Sequence, residues 1–348
     1  MKKLRVLVIT DLSSAPSLDF NLESELKTNP DWKVEHDVLK ALHKLEHETK
    51  LLLLFNDLTI LLKEVSKFKP DVVFNLTETF RDNRELASPL TGVLDLLGIA
   101  YTGASAQTLS LCNNKALTKK LLLYHGIGTP HFKIASLRRE LSDLKNFPYP
   151  AFVKPICQEG SEGIAQSSIV KSFEDCVRRV KFVHKKFQTD ALVEQYIEGR
   201  EFYLSMLANK EWEVLAAREM RFEKVPIGSP KIATHHAKFD EDYQKKWGIR
   251  SVKPSHMAED LIQYLRSLGI KIGQALNLDG YVRMDLRVTS DQKVYVLEVN
   301  PNPSLAKDED FALSASDEGY SYEELIQHIL DRALLKKSRL ALSVAQRS

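Results

Sequence analysis

The spacing of hydrophobic residues changes several times along the chain, and each change marks an element. Leu4 to Thr10 is a short apolar run bounded by polar residues and reads as a first buried strand. Val34 to Val38 is a candidate second strand. Leu51 to Phe68 reads as a long helix halted by Pro70, with Asp71 to Leu76 as the next buried strand. Leu86 to Leu97 is helical and closes on Gly98, a residue suited to the left-handed cap. Ile99 to Gly103 follows as a short strand and turn. Strands alternating with helices predict a parallel sheet covered on both faces.

The pattern then shifts. Asn113 to His125 reads as a helix with an Asn cap and a Gly126 stop. Pro148-Tyr149-Pro150 is a stiff link into the strand Ala151 to Lys154. Ala165 to Val170 is a strand, Phe173 to Phe187 an amphipathic helix, and Ala191 to Tyr196, Glu201 to Leu207 and Val214 to Met220 are strands. Arg221 to Lys253 keeps no sustained period and reads as a long functional loop. His256 to Leu276 and Tyr322 to Lys337 read as helices, with a frayed end after the second. The shifts divide the chain into units at 1–112, 113–190 and 191–340.

Two stretches near the end alternate as half-buried strands: Tyr281 to Val288 and Tyr295 to Asn300. A tight hairpin with Asp291 and Gln292 at its tip puts Asp285 opposite Glu298 and Arg283 opposite Asn300. Met284, Leu286, Val288, Tyr295, Leu297 and Val299 then fill the other face. Like charges directly opposed on a sheet face destabilise it unless something holds them. An all-oxygen set of Asp285, Glu298 and Asn300 suits magnesium or manganese, not zinc. The alternative is an ordinary amphipathic hairpin whose acids are neutralised by Arg283 and Arg287.

Composition narrows the class. The 348 residues, 43% hydrophobic and 28% charged, are enough for two or three globular domains. A net charge of +2 gives no nucleic-acid surface. The three cysteines, Cys112, Cys157 and Cys176, are too scattered for a disulfide framework, which implies a reducing, cytoplasmic compartment. No apolar run approaches the roughly 20 residues that span a membrane.

Lys154 enters a Gly- and Ser-containing turn, Gln158 to Gly163, which offers backbone N–H groups to an anion or is a plain surface turn. Leu192 to Phe202 carries a strand, a turn at Glu198-Gly199 and a second strand beginning at Glu201. Its strand-end amides and carbonyls suit a base edge and its carboxylate a ribose; a polar hairpin is the alternative. Cys157 lacks a positioned base in the sequence and reads as structural.

Six short motifs stand in one order: Asn114-Lys115, Val153-Lys154-Pro155, Glu159-Gly160-Ser161, Val193 to Glu201, Arg283-Met284-Asp285 and Leu297-Glu298-Val299-Asn300. In that order the chain resembles the ATP-grasp superfamily and, within it, the D-alanine–D-alanine ligase branch, from about Asp71 to Lys337. The resemblance implies an α/β ATP-grasp fold, with a parallel-sheet Rossmann-like N-terminal domain before a two-part ATP-grasp domain. It implies that Lys115 and Lys154 contact ATP phosphates and that the loop at Gly160 and Ser161 closes over them. Glu194, Gln195, Tyr196 and Ile197 would hold adenine, and Glu201 the ribose. Asp285, Glu298 and Asn300 would bind two magnesium or manganese ions. Arg283 and Ser161 are the implied catalytic residues, Arg283 acting on the acyl phosphate or tetrahedral intermediate. Lys238, in His236-Ala237-Lys238-Phe239, would add a phosphate contact.

The implied function is an ATP-dependent carboxylate–amine ligase that releases ADP. A carboxylate is a poor electrophile, and its acyl phosphate is attacked readily by an amine. Making that phosphate calls for cations, positioning and exclusion of water. The implied partners are a small carboxylate and an amine, with a homodimer as the implied assembly. An ATP-binding module without catalysis and a dedicated D-alanine–D-alanine ligase are the alternatives. The departures fall on the substrate side. Asp11 to Ser17 lacks the branch's Glu, although Asp11 could serve in its place. Pro301 to Asp310 replaces a Pro-Gly turn and a downstream Ser with an acidic run, which suits a cationic acceptor or is a solvated turn.

Overall fold

In a computed structural model, the first apolar run becomes the middle of a parallel sheet. Residues 2–12, 14, 21–157, 161–208, 211–226, 230–255 and 257–345 are described. The sheet is built from β1 (Arg5–Asp11), β2 (Glu48–Leu54), β3 (Val72–Asn75) and β4 (Ala100–Tyr101), in the order β2-β1-β3-β4. Its helices are α1 (Leu22–Thr28), α2 (Lys33–Lys44), α3 (Thr59–Phe68), α4 (Ala87–Leu96) and α5 (Ala106–Asn113).

Val34 to Val38 lies in α2, not in a strand. Val34, Val38, Ala41 and Leu42 recur at helical spacing and pack on Val6 and Val8 of β1. Leu51 to Leu54 belongs to β2, where Leu52 pairs with Ile9. The helix begins eight residues later than the sequence pattern predicts, at Thr59, whose backbone N–H donates to Asp57 (2.8 Å). A buried parallel strand and a helix look alike in so short an apolar run.

The second sheet runs β5-β8-β6-β7. Around it lie α6 (Lys115–Tyr124), β5 (Phe132–Ala135), β6 (Ala151–Pro155), β7 (Ile169–Val170), α7 (Phe173–Phe187) and β8 (Ala191–Gln195). Within Ala165 to Val170, Gln166 to Ser168 form a turn of 3₁₀ helix, and only the last two residues pair as a strand.

The third sheet orders as β12-β11-β9-β13-β14, with β10 also on β9. Its elements are β9 (Arg200–Ala208), β10 (Trp212–Val214), β11 (Arg218–Phe222), α8 (His235–Phe239), α9 (Glu241–Trp247), β12 (Ile249–Val252), α10 (Glu259–Ala275), β13 (Tyr281–Val288), β14 (Val294–Pro301), α11 (Asp310–Asp317) and α12 (Tyr322–Ala345). Val214 to Met220 is two strands, because the pairing on β9 slips by one residue between Val214↔Met206 and Arg218↔Tyr203. The stretch read as a loop contains α8, α9 and β12. Both helices are too short to show a period. Asp240 caps the second, accepting from Tyr243 N–H (2.9 Å), and Gly248 ends it in the left-handed region.

One core face of the third sheet packs Phe202, Leu204, Met206, Val282, Met284 and Leu286 against α10. The opposite face carries the polar residues. Helix α12 returns to the first sheet, where Leu325, Ile326, Ile329 and Leu330 share a core with Val6, Val8 and Val38. No helix among the described residues is long and apolar enough to cross a membrane.

Candidate active site

The site's floor is the β13–β14 hairpin. Asp285 pairs with Glu298 and Arg283 with Asn300, as the alternation predicts. The outer half of the hairpin differs. A bulge next to Asp285 shifts the register, so Leu286 meets Val296 and Arg287 meets Tyr295. Val296, 1% exposed, fills the core position expected of Leu297. Tyr295 lies across from Arg287, on the polar side. The tip is a three-residue turn closed by Thr289 N–H to the Lys293 carbonyl (3.0 Å), with Gln292 at φ +63°. An inserted residue reverses the alternation and re-aims side chains, and here it turns Leu297 and Glu298 together into the cleft.

Each acid on this floor faces a cation. Lys115 Nζ lies 2.7 Å from Glu298 Oε1. Arg283 grips Asp285 through Nε (2.8 Å) and Nη2 (3.2 Å). Asn300 Nδ2 donates to the same carboxylate (3.0 Å), and Lys238 Nζ stands 3.7 Å away. Burial pushes the Glu298 carboxyl up, but Lys115 and Lys154 outweigh it and bring it down to about 2. Burial likewise opposes the Arg283 charge, and Asp285 more than offsets it, so that pKa is raised. Arg283 therefore neutralises Asp285 as the plain-hairpin reading expects, whereas Arg287 turns elsewhere.

The roof comes from the second sheet. Lys154 on β6 and Glu194 on β8 both project into the cleft, their Nζ and Oε2 3.0 Å apart. A second lysine, Lys119 of α6, reaches Glu194 Oε1 at 2.8 Å. Burial acts against all three charges. The two lysines still hold Glu194 below the ordinary carboxylate range. Glu194 and Glu298 raise Lys154, whereas Lys119 stays pulled down to about 8. Gln195, Tyr196 and Ile197 line the cleft at the end of β8.

Between roof and floor, Glu201 accepts from Arg287 Nη2 (2.7 Å) and from the Tyr203 hydroxyl (3.1 Å). Arg287 Nη1 also donates to the carbonyls of Gly199 (3.1 Å) and Lys231 (3.0 Å), tying the hairpin to the segment before α8. Ser161 sits at φ +61° and its hydroxyl donates to the Ala233 carbonyl (2.8 Å). That bond joins the loop expected to close over the phosphates to the long stretch read as a functional loop. Gly160, with Gln158 and Glu159, lies outside the described residues. Burial pushes the Cys157 thiol up, which suits a structural cysteine.

Two members of this cleft, Tyr203 and Lys119, were not singled out from sequence, and Arg287 was read with the hairpin acids rather than with Glu201. Tyr203 shares a strand face with Glu201 two residues away, which was a usable signal. Lys115 and Lys119 are four apart on α6, so like charges share one helix face, and that spacing was the sign of acids facing it, Glu298 for the first and Glu194 for the second. The Arg287–Glu201 pair joins strands far apart in sequence, and nothing local announces it.

Among the described residues, no three His, Cys, Asp or Glu side chains group as a metal site. Asp285 and Glu298 with the Asn300 amide are what the floor offers. The fit is to a hard ion that keeps water and takes phosphate oxygens as its remaining ligands, as magnesium does. The cleft's cations and its all-oxygen acids match a magnesium–triphosphate pair.

At the other end, the chain leaves β14 through Asn302, at φ +49°, whose Oδ1 accepts from Ala104 N–H (2.7 Å). A Cβ on Gly103 would lie 2.5 Å from that oxygen. Asp308 then pairs with Lys33. Asp310 accepts from the Ser251 hydroxyl and lies 3.6 Å from Arg218. Glu309 is half-buried; burial, with Asp310, pushes its carboxyl up against the pull of Arg283. Asp11 accepts from Glu78 N–H (2.6 Å) and from the Thr79 hydroxyl, so its carboxylate holds the end of β1 to that segment.

A sequence model of the family described as D-ala D-ala ligase C-terminus matches residues 126–331. An uncharacterized protein of Sinorhizobium fredii is 31% identical over 87% of this chain and 88% of its own. A D-alanine–D-alanine ligase of Trichlorobacter lovleyi is 30% identical over 71% of this chain and 74% of its own. Among solved structures, the D-alanine–D-alanine ligase of Bacillus anthracis complexed with ATP superposes with a TM-score of 0.74 at 20% identity, covering 97% of this chain and 99% of that one.

Proposed function

The chain belongs to the D-alanine–D-alanine ligase family and is an ATP-grasp ligase that forms carbon–nitrogen bonds with release of ADP, and from that premise we propose how its cleft divides the work. Lys115, Lys154 and Lys238 take the phosphates. Glu194, Gln195, Tyr196 and Ile197 hold adenine, and Glu201, steadied by Arg287 and Tyr203, holds the ribose. Asp285, Glu298 and Asn300 hold two magnesium ions, which supply charge neutralisation for phosphoryl transfer. Arg283 stabilises negative charge on the acyl phosphate and the tetrahedral intermediate. Ser161, through Ala233, brings the phosphate loop onto the α8 segment and keeps water out. The observation that carries this reading is one cleft in which two sheets bring lysines to meet paired oxygen ligands.

The acid to be activated is a small carboxylate, with D-alanine a member of the class to try. The partner amine approaches past Glu309, whose negative charge favours an ammonium or a cationic acceptor over a free carboxylate. A homodimer in the cytoplasm, with units near 1–112, 113–190 and 191–340, completes the proposal. The test is a trapping reaction. Protein, ATP, magnesium and hydroxylamine are incubated with a panel of D- and L-amino acids. An ATP-dependent hydroxamate from at least one acid is expected. Its absence across the panel, in protein that binds ATP, would count against the acyl-phosphate route.

A further inference from the structure

Lys119 is a buried cation that none of these roles employs. It is 2% exposed and sits one turn beyond Lys115 on α6. Its Nζ lies 2.8 Å from Glu194 Oε1, donates to Thr129 Oγ1 at 2.7 Å, and reaches the Val296 carbonyl at 3.4 Å. The Thr129 hydroxyl itself donates to the Val296 carbonyl (2.9 Å), so the seat spans α6, the link before β5, and β14. Lys154, among the described residues, is held at Glu194 alone, 3.0 Å from its other oxygen. The two lysines differ accordingly. Lys154 is free to turn to a phosphate, and Lys119 is fixed behind the carboxylate.

That difference has a chemical consequence at the base. Glu194 is 3% exposed, and a buried carboxylate without a cation takes up a proton. The ionised form only accepts hydrogen bonds, whereas the protonated form presents an O–H donor. Adenine offers an amino group at C6, and hypoxanthine offers a carbonyl at the same atom. We propose that Lys119 keeps Glu194 an acceptor-only carboxylate while Lys154 serves the phosphates, and so sets the preference for adenine over hypoxanthine. The inference rests on the placement of the base at the end of β8. Lys119 is a positioning residue, since it reaches the base only through Glu194.

The experiment is calorimetric titration of the full chain with ATP and with ITP, each with magnesium, at neutral pH. Wild-type protein should bind ATP at least about tenfold more tightly than ITP, the worth of a charge-assisted hydrogen bond. Lys119→Met should shrink that ratio about fivefold or more, while Thr129→Val, nearly isosteric, should shrink it about twofold. A purely structural role for Lys119 would weaken both nucleotides equally, and an unchanged ratio in Lys119→Met would overturn the proposal. If that variant fails to fold, an unchanged ratio in Thr129→Val overturns it instead. Wild-type protein that binds the two nucleotides equally, or neither, would remove the base-site reading as well. A wild-type preference that survives intact in the folded variants would remove only the role of Lys119.

Discussion

The two ends of the proposed site handle charge in opposite ways. At the proposed nucleotide end, acids and cations pair with each other inside the cleft: Lys115 with Glu298, Lys154 and Lys119 with Glu194, Arg283 with Asp285. At the proposed acceptor end, the acids are turned to partners outside the cleft: Asp308 to Lys33, Asp310 to Ser251 and Arg218, Asp11 to the 78–79 segment. Glu309 alone of the Asp308–Asp310 run has no side-chain partner among the described residues and feels the charge of Arg283. The first arrangement is a set of exchangeable partners. A triphosphate and its metal ions can replace each acid and each cation in turn, at little net electrostatic cost. The second arrangement leaves Glu309 as the unpaired carboxylate of its run among the described residues, which suits selection of a substrate rather than chemistry upon it. On the proposed function, shared chemistry and private specificity are segregated between the two ends.

The contrast can be broken at four points. The largest effect is expected at Glu298→Gln, which removes a proposed metal ligand and the partner of Lys115; ADP formation should fall by about a thousandfold or more, with a weakened magnesium dependence. Wild-type magnesium dependence in that variant would place the metal elsewhere. Arg283→Met should lower kcat by about a hundredfold and leave the ATP dissociation constant within about twofold, because its charge acts on the transition state. Equal losses in both quantities would make Arg283 a binding residue. Glu309→Gln should raise KM for the amine by roughly tenfold and leave KM for ATP unchanged. An unchanged amine KM would erase the distinction between the two ends. The smallest effect concerns pH. The Glu298 carboxyl is depressed from 4.5 to about 2 in the fold, so its stabilisation is complete above 4.5 and is lost as pH falls between those values. A urea series should show wild-type protein losing up to roughly 3 kcal/mol more than Glu298→Gln over that window. Parallel curves would show that Glu298 is not held by the lysines.

Much of the floor was legible in the sequence. The alternation in Tyr281 to Asp285 and Glu298 to Asn300 was clean enough to give the inner register, because a one-residue slip would turn one of the two acids into the core. The outer register was not legible. Tyr295-Val296-Leu297 is apolar at every position, so no alternation survives to show where the extra residue enters. Val34 to Val38 was misread because five residues cannot separate a strand from the first turns of a helix, whereas the twelve residues of α2 do. Ser161 and Lys238 were legible as members of a likeness to known ligases. Their link through Ala233 and the α8 segment depends on tertiary packing of short elements, which leaves no periodic trace. Lys119 was written in the sequence at the right spacing, but a lysine-rich helix face reads by default as solvated.

The most direct measurement is phosphorus NMR of the products formed from ATP and magnesium with the panel of small carboxylates and amines. The account predicts ADP and orthophosphate in equal amounts, appearing only when a carboxylate is present and accelerated by a cationic amine. AMP and pyrophosphate, or ADP formed equally well without any carboxylate, would contradict it.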